Sequence, residues 1–271
     1  MADDVYTAFT GSIPENYDRY LGPMFFAGCA ADLAERVAGA ATGAVLEVAA
    51  GTGIASRALR DRLPAEVPLT VTDLNPDMLA VARRKFGEGE AVDFRTADAM
   101  ALPFGDGAFQ VVASQFGIMF CPDRVQALRE MHRVLPSGGR VVFSVWDALE
   151  SNPLPLVVNE LMAELFRGEP PGFMQVPFSY HDEGRITADV GAAGGEVLEI
   201  HSLSGECRFP DPRHAALGMV TGSPLSAEIE QLGAVPVDDV VARLAARLAE
   251  QFGERDCRVP MSWKVVVTTA A

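Results

Sequence analysis

Short apolar runs alternate with stretches of helical spacing through the first half of the chain. Val45, Leu46 and Val48 form a β-favouring run too short for a buried helix, and Ile54, Ala58 and Leu59 then restart an apolar face of period 3.6. The same alternation predicts strands near 44–49, 69–73, 92–96, 109–115 and 139–146. Between them, Asn75 ahead of Pro76 marks a helix start. Asp123 caps a helix that carries Val125, Leu128, Met131 and Leu135 on one side and Arg129 and Arg133 on the other. His132 borders that apolar stripe and reads as structural. Strand and helix in regular alternation imply a parallel sheet covered on both faces, an α/β doubly wound architecture.

The flanks differ from this core. Residues 1–43 carry Tyr6, Phe9, Tyr17, Tyr20, Phe25 and Phe26 ahead of a helical stretch from Gly28 to Val37. From Asp147 to His181, prolines at 153, 155, 170, 171 and 177 break a segment with one helical stretch, Leu156 to Phe166, interleaved with Phe166, Phe173, Phe178 and Tyr180. An aromatic, proline-broken insertion after the fifth strand is expected to hang over the cleft as a substrate lid. A helix over Gly184 to Gly195, a strand from Val197 to Phe209, a short helix from Asp211 to Gly222, an amphipathic helix from Val237 to Leu248 and a β-rich ending from Ser262 to Thr269 complete the chain. The expected division of the single domain is a cap (1–43), a cofactor-binding core (44–147), a lid (148–190) and C-terminal strands and helices (191–271).

Chemistry enters at the first strand–helix junction. Gly51 and Gly53 remove side chains where the backbone turns towards a ligand, and a helix starting beyond them aims unpaired N–H groups at whatever lies over the turn. A plain βα connection would also place glycines there. Asp73, ending the second strand, changes the balance, because a carboxylate at that tip can accept hydrogen bonds from both hydroxyls of an adenosine ribose.

Four stretches in order resemble the class I S-adenosylmethionine-dependent methyltransferases, in the broad group that includes the ubiquinone and menaquinone C-methyltransferases. They are Glu47 to Gly53, Asp73 to Met78, Thr96 to Phe104, and Phe109 to Asp123 followed by Val134 to Phe143. Ala49 stands where a glycine is usual, and Gln110 where an acid is common. The resemblance implies a Rossmann-like, mostly parallel seven-stranded sheet with an antiparallel last strand. It implies S-adenosyl-L-methionine as cofactor, with S-adenosyl-L-homocysteine as product, held by Glu47, Ala49, Gly51 and Gly53 at the turn, Asp73 at the ribose, Leu74 on one adenine face, and Asp98 and Ala99 at the adenine edge. Pro14 to Tyr20 is similar to the family's N-terminal cap, which makes Tyr20 a candidate cofactor contact. The strand-tip position makes Gln115 another, with Phe116, Met119 and Phe120 as candidate pocket walls.

Charge narrows the substrate. With 22 basic and 37 acidic residues the net charge is −15, which repels polyanions, and Arg83, Arg84 and Lys85 form the only basic triplet, read as a solvated helix end. Nucleic acid is excluded as an expected substrate. Cys29, Cys121, Cys207 and Cys257 form no Cys-x-x-Cys pair and the chain opens acidic, so free thiols and a cytoplasmic location are expected. No apolar run approaches the roughly 20 residues that span a bilayer. Scarce lysine and abundant alanine, glycine and valine point to a GC-rich bacterial genome.

The expected reaction is methyl transfer to an oxygen, carbon or nitrogen of a small apolar or aromatic metabolite, oxygen first. No metal-ligand spacing occurs, so no metal is expected. His181 in the lid segment and His214 near the sixth strand are the candidate general bases, with His201 behind them. Two other readings compete: a protein of the same fold that binds the cofactor without methylating, and an NAD-linked oxidoreductase. Ser56 in place of a third dinucleotide glycine, and the absence of a Tyr-x-x-x-Lys pair, count against the latter. A monomer or homodimer is expected.

Overall fold

A computed structural model describes residues 9–270; Tyr6 lies outside them. The described chain opens with α1 (Ile13–Asn16), whose end runs into a π-helical stretch, Tyr17–Phe26, and then α2 (Ala27–Ala40). The core follows as β1 (Val45–Glu47), α3 (Ile54–Arg62), β2 (Leu69–Asp73), α4 (Pro76–Arg83), β3 (Val92–Thr96), β4 (Val111–Gln115), α5 (Arg124–Arg133) and β5 (Arg140–Trp146). The remainder is α6 (Pro153–Leu165), α7 (Glu183–Ala192), β6 (Gly195–Phe209), α8 (Pro212–Thr221), α9 (Leu225–Leu232), α10 (Val237–Phe252) and β7 (Cys257–Ala270).

The strands form one seven-stranded sheet in the order β3-β2-β1-β4-β5-β7-β6, with β1 to β5 parallel and β7 antiparallel to both neighbours. This is the Rossmann-like architecture the motifs implied. Burial explains the order. Every residue of β1 is buried, as a strand with helices over both faces requires, whereas edge strand β3 is mostly exposed. Winding reverses between β1 and β4, so their carboxyl ends open a crevice at the switch point.

Local chemistry sets the helix starts. Asn75 Oδ1 accepts the Asp77 N–H at 2.9 Å, and Asp123 Oδ1 accepts the Gln126 N–H at 2.9 Å, as the capping pattern predicted. His132 is buried, with Nε2 2.8 Å from the Thr268 hydroxyl, and burial pushes its pKa down to about 4, which fits its structural reading. The basic triplet is more than a solvated helix end: Arg84 pairs with Glu15 and Lys85 with Asp18, both at 2.5 Å, so the end of α4 holds the N-terminal cap.

The insertion after β5 is fixed at both roots. Asn152 is buried, donating to the Ser262 carbonyl at 3.2 Å and accepting the Ser262 N–H at 2.9 Å. Lys264 of β7 reaches Glu183 at 2.9 Å and Asp147 at 3.7 Å, one residue at each end of the insertion. Among the described residues no helix is long and apolar enough to cross a membrane. The four cysteines are free thiols.

Candidate active site

The crevice over β1 and β4 is a single cavity with two kinds of wall. Its floor begins in the turn after β1, where Ala49, Gly51 and Gly53 have φ of 55°, 57° and 79°. A left-handed alanine costs on the order of 1 kcal/mol. Its methyl fills space that Gly117 leaves, since a Cβ at Gly117 would fall 2.4 Å from the Ala49 Cβ. Gly53 has no such latitude: a Cβ there would lie 2.7 Å from the Ala82 Cβ, so glycine is what lets α3 start close against α4.

Asp73 ends β2 beside this turn. Its Oδ2 accepts the Gly51 N–H at 2.7 Å and its Oδ1 the Asn75 N–H at 2.8 Å, so each oxygen keeps acceptor capacity towards the cavity. Burial raises its pKa, and the backbone N–H bonds from Asn75, Gly51 and Leu74 oppose the rise. Leu74, at 56% exposure, is a large apolar side chain lining the open cavity, which suits a ligand face. Asp98 and Ala99 line the next stretch, where Asp98 Oδ1 accepts the Met100 N–H at 2.8 Å.

Beneath the turn, Glu47 is fully buried and both its carboxylate oxygens lack a hydrogen-bond partner. Burial pushes its pKa up to about 8; the nearby Ser56 hydroxyl pulls it down and the Asp73 charge pushes it further up. Gln115, at the tip of β4, donates weakly to the Phe26 carbonyl at 3.4 Å and leaves a buried Oε1 unpartnered in the cavity wall. Thr52 Oγ1 and Ser114 Oγ are likewise without partners. Of these, Thr52 and Gln115 line the cavity, and unpaired polar atoms beside a glycine cradle are what a polar ligand would satisfy, so the floor fits a cofactor with an adenosine and an amino-acid end.

The other wall is aromatic. Phe116 stacks on Trp146 with centroids 4.0 Å apart and planes at 3°, and Tyr17 stacks on Phe26 at 4.9 Å. Phe116 holds a φ of 52°, an unfavourable conformation for a bulky residue and one typical of functional sites. Phe120 lies 6.2 Å from Phe173 of the insertion, and Trp146 lies 6.0 Å from Phe178. Pro155, Met174 and Pro177 also line the cavity, so the insertion supplies much of this wall. Met119 is buried outside the lining.

Several expected residues stand elsewhere. Tyr20 does not line the cavity; its ring meets His214 edge-on at 4.9 Å, and the Tyr20 Cβ occupies space beside Gly218, where an added Cβ would come within 2.8 Å. The close approach of α8 to the cap therefore turns Tyr20 away, and Tyr17, which opens the same π-helical stretch, faces the cavity instead. His214 sits in the first turn of α8 with its N–H on the Asp211 cap at 2.9 Å, away from the lining. His181 lies behind the wall, its Nδ1 2.9 Å from the Phe178 carbonyl, and His201 pairs with Glu199 at 2.8 Å on an exposed strand. Glu47 and Gly53 support the floor without lining it. Trp146, Tyr17 and Met219 were not singled out in the sequence, although Trp146 could have been found, because the strand-tip rule that picks Gln115 applies equally to the end of β5.

The titratable side chains that line the cavity, among the described residues, are Tyr17, Asp73, Asp98 and Cys121. Burial pushes the Tyr17 phenol up, helped by Asp73 and Asp18, and pushes the Cys121 thiol up to about 12. Both are neutral at neutral pH. No cluster of histidine, cysteine and acidic residues suited to a metal occurs among the described residues.

A family model described as a methyltransferase domain matches residues 46–143, the stretch that builds the floor. A demethylmenaquinone methyltransferase from Thermus thermophilus is 48% identical over 100 residues, covering 36% of this chain and 44% of that protein. The ubiquinone/menaquinone biosynthesis C-methyltransferase UbiE of Xylella fastidiosa strain M23 is 39% identical over 174 residues, covering 59% of this chain and 69% of that protein. The chain spans about half the length of several of the curated relatives it matches. Among solved structures, a phosphoethanolamine N-methyltransferase from Haemonchus contortus in complex with S-adenosyl-L-methionine aligns with a TM-score of 0.59 at 18% identity, covering 97% of this chain and 58% of that one, which speaks to the fold. Taken with the glycine turn, the Asp73 tip and the switch-point crevice, these likenesses establish that the chain belongs to the class I S-adenosylmethionine-dependent methyltransferases, the family that includes the ubiquinone and menaquinone C-methyltransferases.

Proposed function

We propose that this chain transfers the methyl group of S-adenosylmethionine to a small apolar or aromatic metabolite. The observation that carries the proposal is the continuity of one cavity from the unsatisfied polar floor to the ring-lined chamber. When bound, the cofactor supplies a methyl already made electrophilic by its sulfonium. Asp73 would hold the ribose, Leu74 and the Asp98–Ala99 stretch the adenine, and Thr52, Gln115 and the turn the amino-acid end, with Glu47 buried beneath the turn as its support. Phe116, Trp146, Phe120 and Phe173 would orient the acceptor and exclude water, which supplies much of the acceleration in a bimolecular transfer.

Among the described residues the lining offers no histidine, and its phenol and thiol are held neutral. That favours acceptor atoms that are nucleophilic without an enzymic base: an activated carbon, an amine or an already ionised oxygen. A hydroxyl acceptor that must lose its proton during transfer would find neither His181 nor His214 in the lining.

The purified protein, incubated with methyl-labelled S-adenosylmethionine and a size-fractionated bacterial metabolite extract, is expected to place label in a small organic fraction. Label in macromolecules, or none at all alongside tight S-adenosylhomocysteine binding, would count against it.

A further inference from the structure

Besides the Leu79 N–H that its carbonyl accepts at 3.3 Å within the helix, Asn75 makes three hydrogen bonds. Its backbone N–H donates to Asp73 Oδ1 at 2.8 Å, its Oδ1 accepts the Asp77 N–H at 2.9 Å, and its Nδ2 donates to the Phe9 carbonyl at 2.7 Å. A cap alone does not need the third, since serine or aspartate caps as well. Only the amide adds a donor that reaches a segment 66 residues away in sequence.

Phe9 lies before α1 in neither helix nor strand, so that bond and its ring contacts fix it. The ring meets Phe120 at 6.0 Å, Phe173 at 6.4 Å and Tyr17 at 6.0 Å, all edge-on, and lines the same cavity as Asp73. The N-terminal segment thus closes over the junction between the floor and the chamber.

We infer that Asn75 is a positioning residue that couples the cofactor seat to the roof of the acceptor chamber. The inference rests on the cavity being a cofactor site. One face of Asn75 is ordered by the carboxylate expected to hold the ribose, and the opposite face holds the carbonyl of the ring that closes the roof. Cofactor retention and roof closure therefore support one another reciprocally. Release of Phe9 would be local, because the Glu15–Arg84 and Asp18–Lys85 pairs keep the rest of the cap in place.

The test is the dissociation rate of S-adenosylhomocysteine from the full chain, measured by surface plasmon resonance for the wild type, Asn75→Ser, Phe9→Ala and the double variant. Asn75→Ser keeps a capping oxygen and loses the tether; Phe9→Ala keeps the carbonyl bond and loses the ring. Each single variant is expected to release the ligand about five- to tenfold faster, because each opens the same roof and removes the same coupling, with the double no faster than either. Asn75→Asp, a second cap-preserving variant, is expected to match Asn75→Ser. Unchanged release in either single variant, or multiplied effects in the double, overturns the tether. A wild-type protein that does not bind S-adenosylhomocysteine overturns the cofactor reading beneath it.

Discussion

The floor around Asp73 and the chamber around Trp146 share one cavity yet are built from different materials. The floor is made by backbone: left-handed residues at 49, 51 and 53, a carboxylate held by two N–H groups, and a helix start packed close because Gly53 has no side chain. All of it comes from one stretch of alternating strands and helices. The chamber is made by side chains, with rings delivered from the N-terminal cap, the ends of β4 and β5 and the insertion. A backbone cradle fits one ligand and tolerates little change, whereas a wall of rings can be repacked with modest cost. Cofactor binding should therefore respond sharply to single changes, and acceptor choice gradually.

The sharpest break comes at Asp73. If Asp73 holds the ribose as proposed, replacing it with alanine removes a charged acceptor from two hydroxyls, each bond worth about 1.5–3 kcal/mol, so S-adenosylhomocysteine affinity should fall by about a hundredfold or more. Calorimetry that showed a change under threefold would mean that the ribose lies elsewhere.

Glu47 sharpens the contrast from the stability side. Its folded pKa, pushed up to about 8, exceeds the ordinary value of 4.5, so between those values the folded state binds the extra proton and stability falls as pH rises. Glu47→Gln removes that slope. The ligand-free variant should match the wild type near pH 4.5 and exceed it by on the order of 2–4 kcal/mol at pH 8.5, by urea unfolding. Parallel profiles for the two proteins would show that Glu47 is solvated or paired.

The same contrast explains what could be read from the chain itself. Floor residues announce themselves because their function is a backbone position: Gly51 and Gly53 at a turn, Asp73 at a strand tip, Asn75 ahead of a proline. Strands β2 and β3 fell where the pattern put them, and β1, β4 and β5 within two residues. Chamber residues gave no such sign, since Tyr17 and Tyr20 sit three apart and a π-helical stretch, invisible to a period of 3.6, decides which faces inward. The histidines misled for a related reason: proximity in sequence to an aromatic insertion says nothing about which side of the wall a ring will occupy. Helix α9, short and opened by Pro224, carried too few apolar positions to be noticed, although Leu225 and Ile229 bury fully.

That unnoticed helix supplies the last and smallest test. Glu228 of α9 accepts the N–H groups of Gly172 at 3.2 Å and Phe173 at 3.0 Å, at the start of a single helical turn in the insertion. One carboxylate thus fixes the backbone that aims Phe173 and Met174 into the chamber, from outside the cavity lining. Glu228→Gln keeps one good acceptor and loses the charge assistance, so acceptor KM should rise about two- to fivefold while S-adenosylhomocysteine affinity stays within twofold. Glu228→Ala leaves both N–H groups without this partner and should raise the same KM about tenfold. Steady-state kinetics on the acceptor found by methyl labelling would separate the two ends: a loss confined to acceptor binding keeps floor and chamber independent at this point. An equal loss in cofactor affinity would instead make the insertion part of the cofactor's own enclosure, since the wall it carries would then be felt as far as the Asp73 floor.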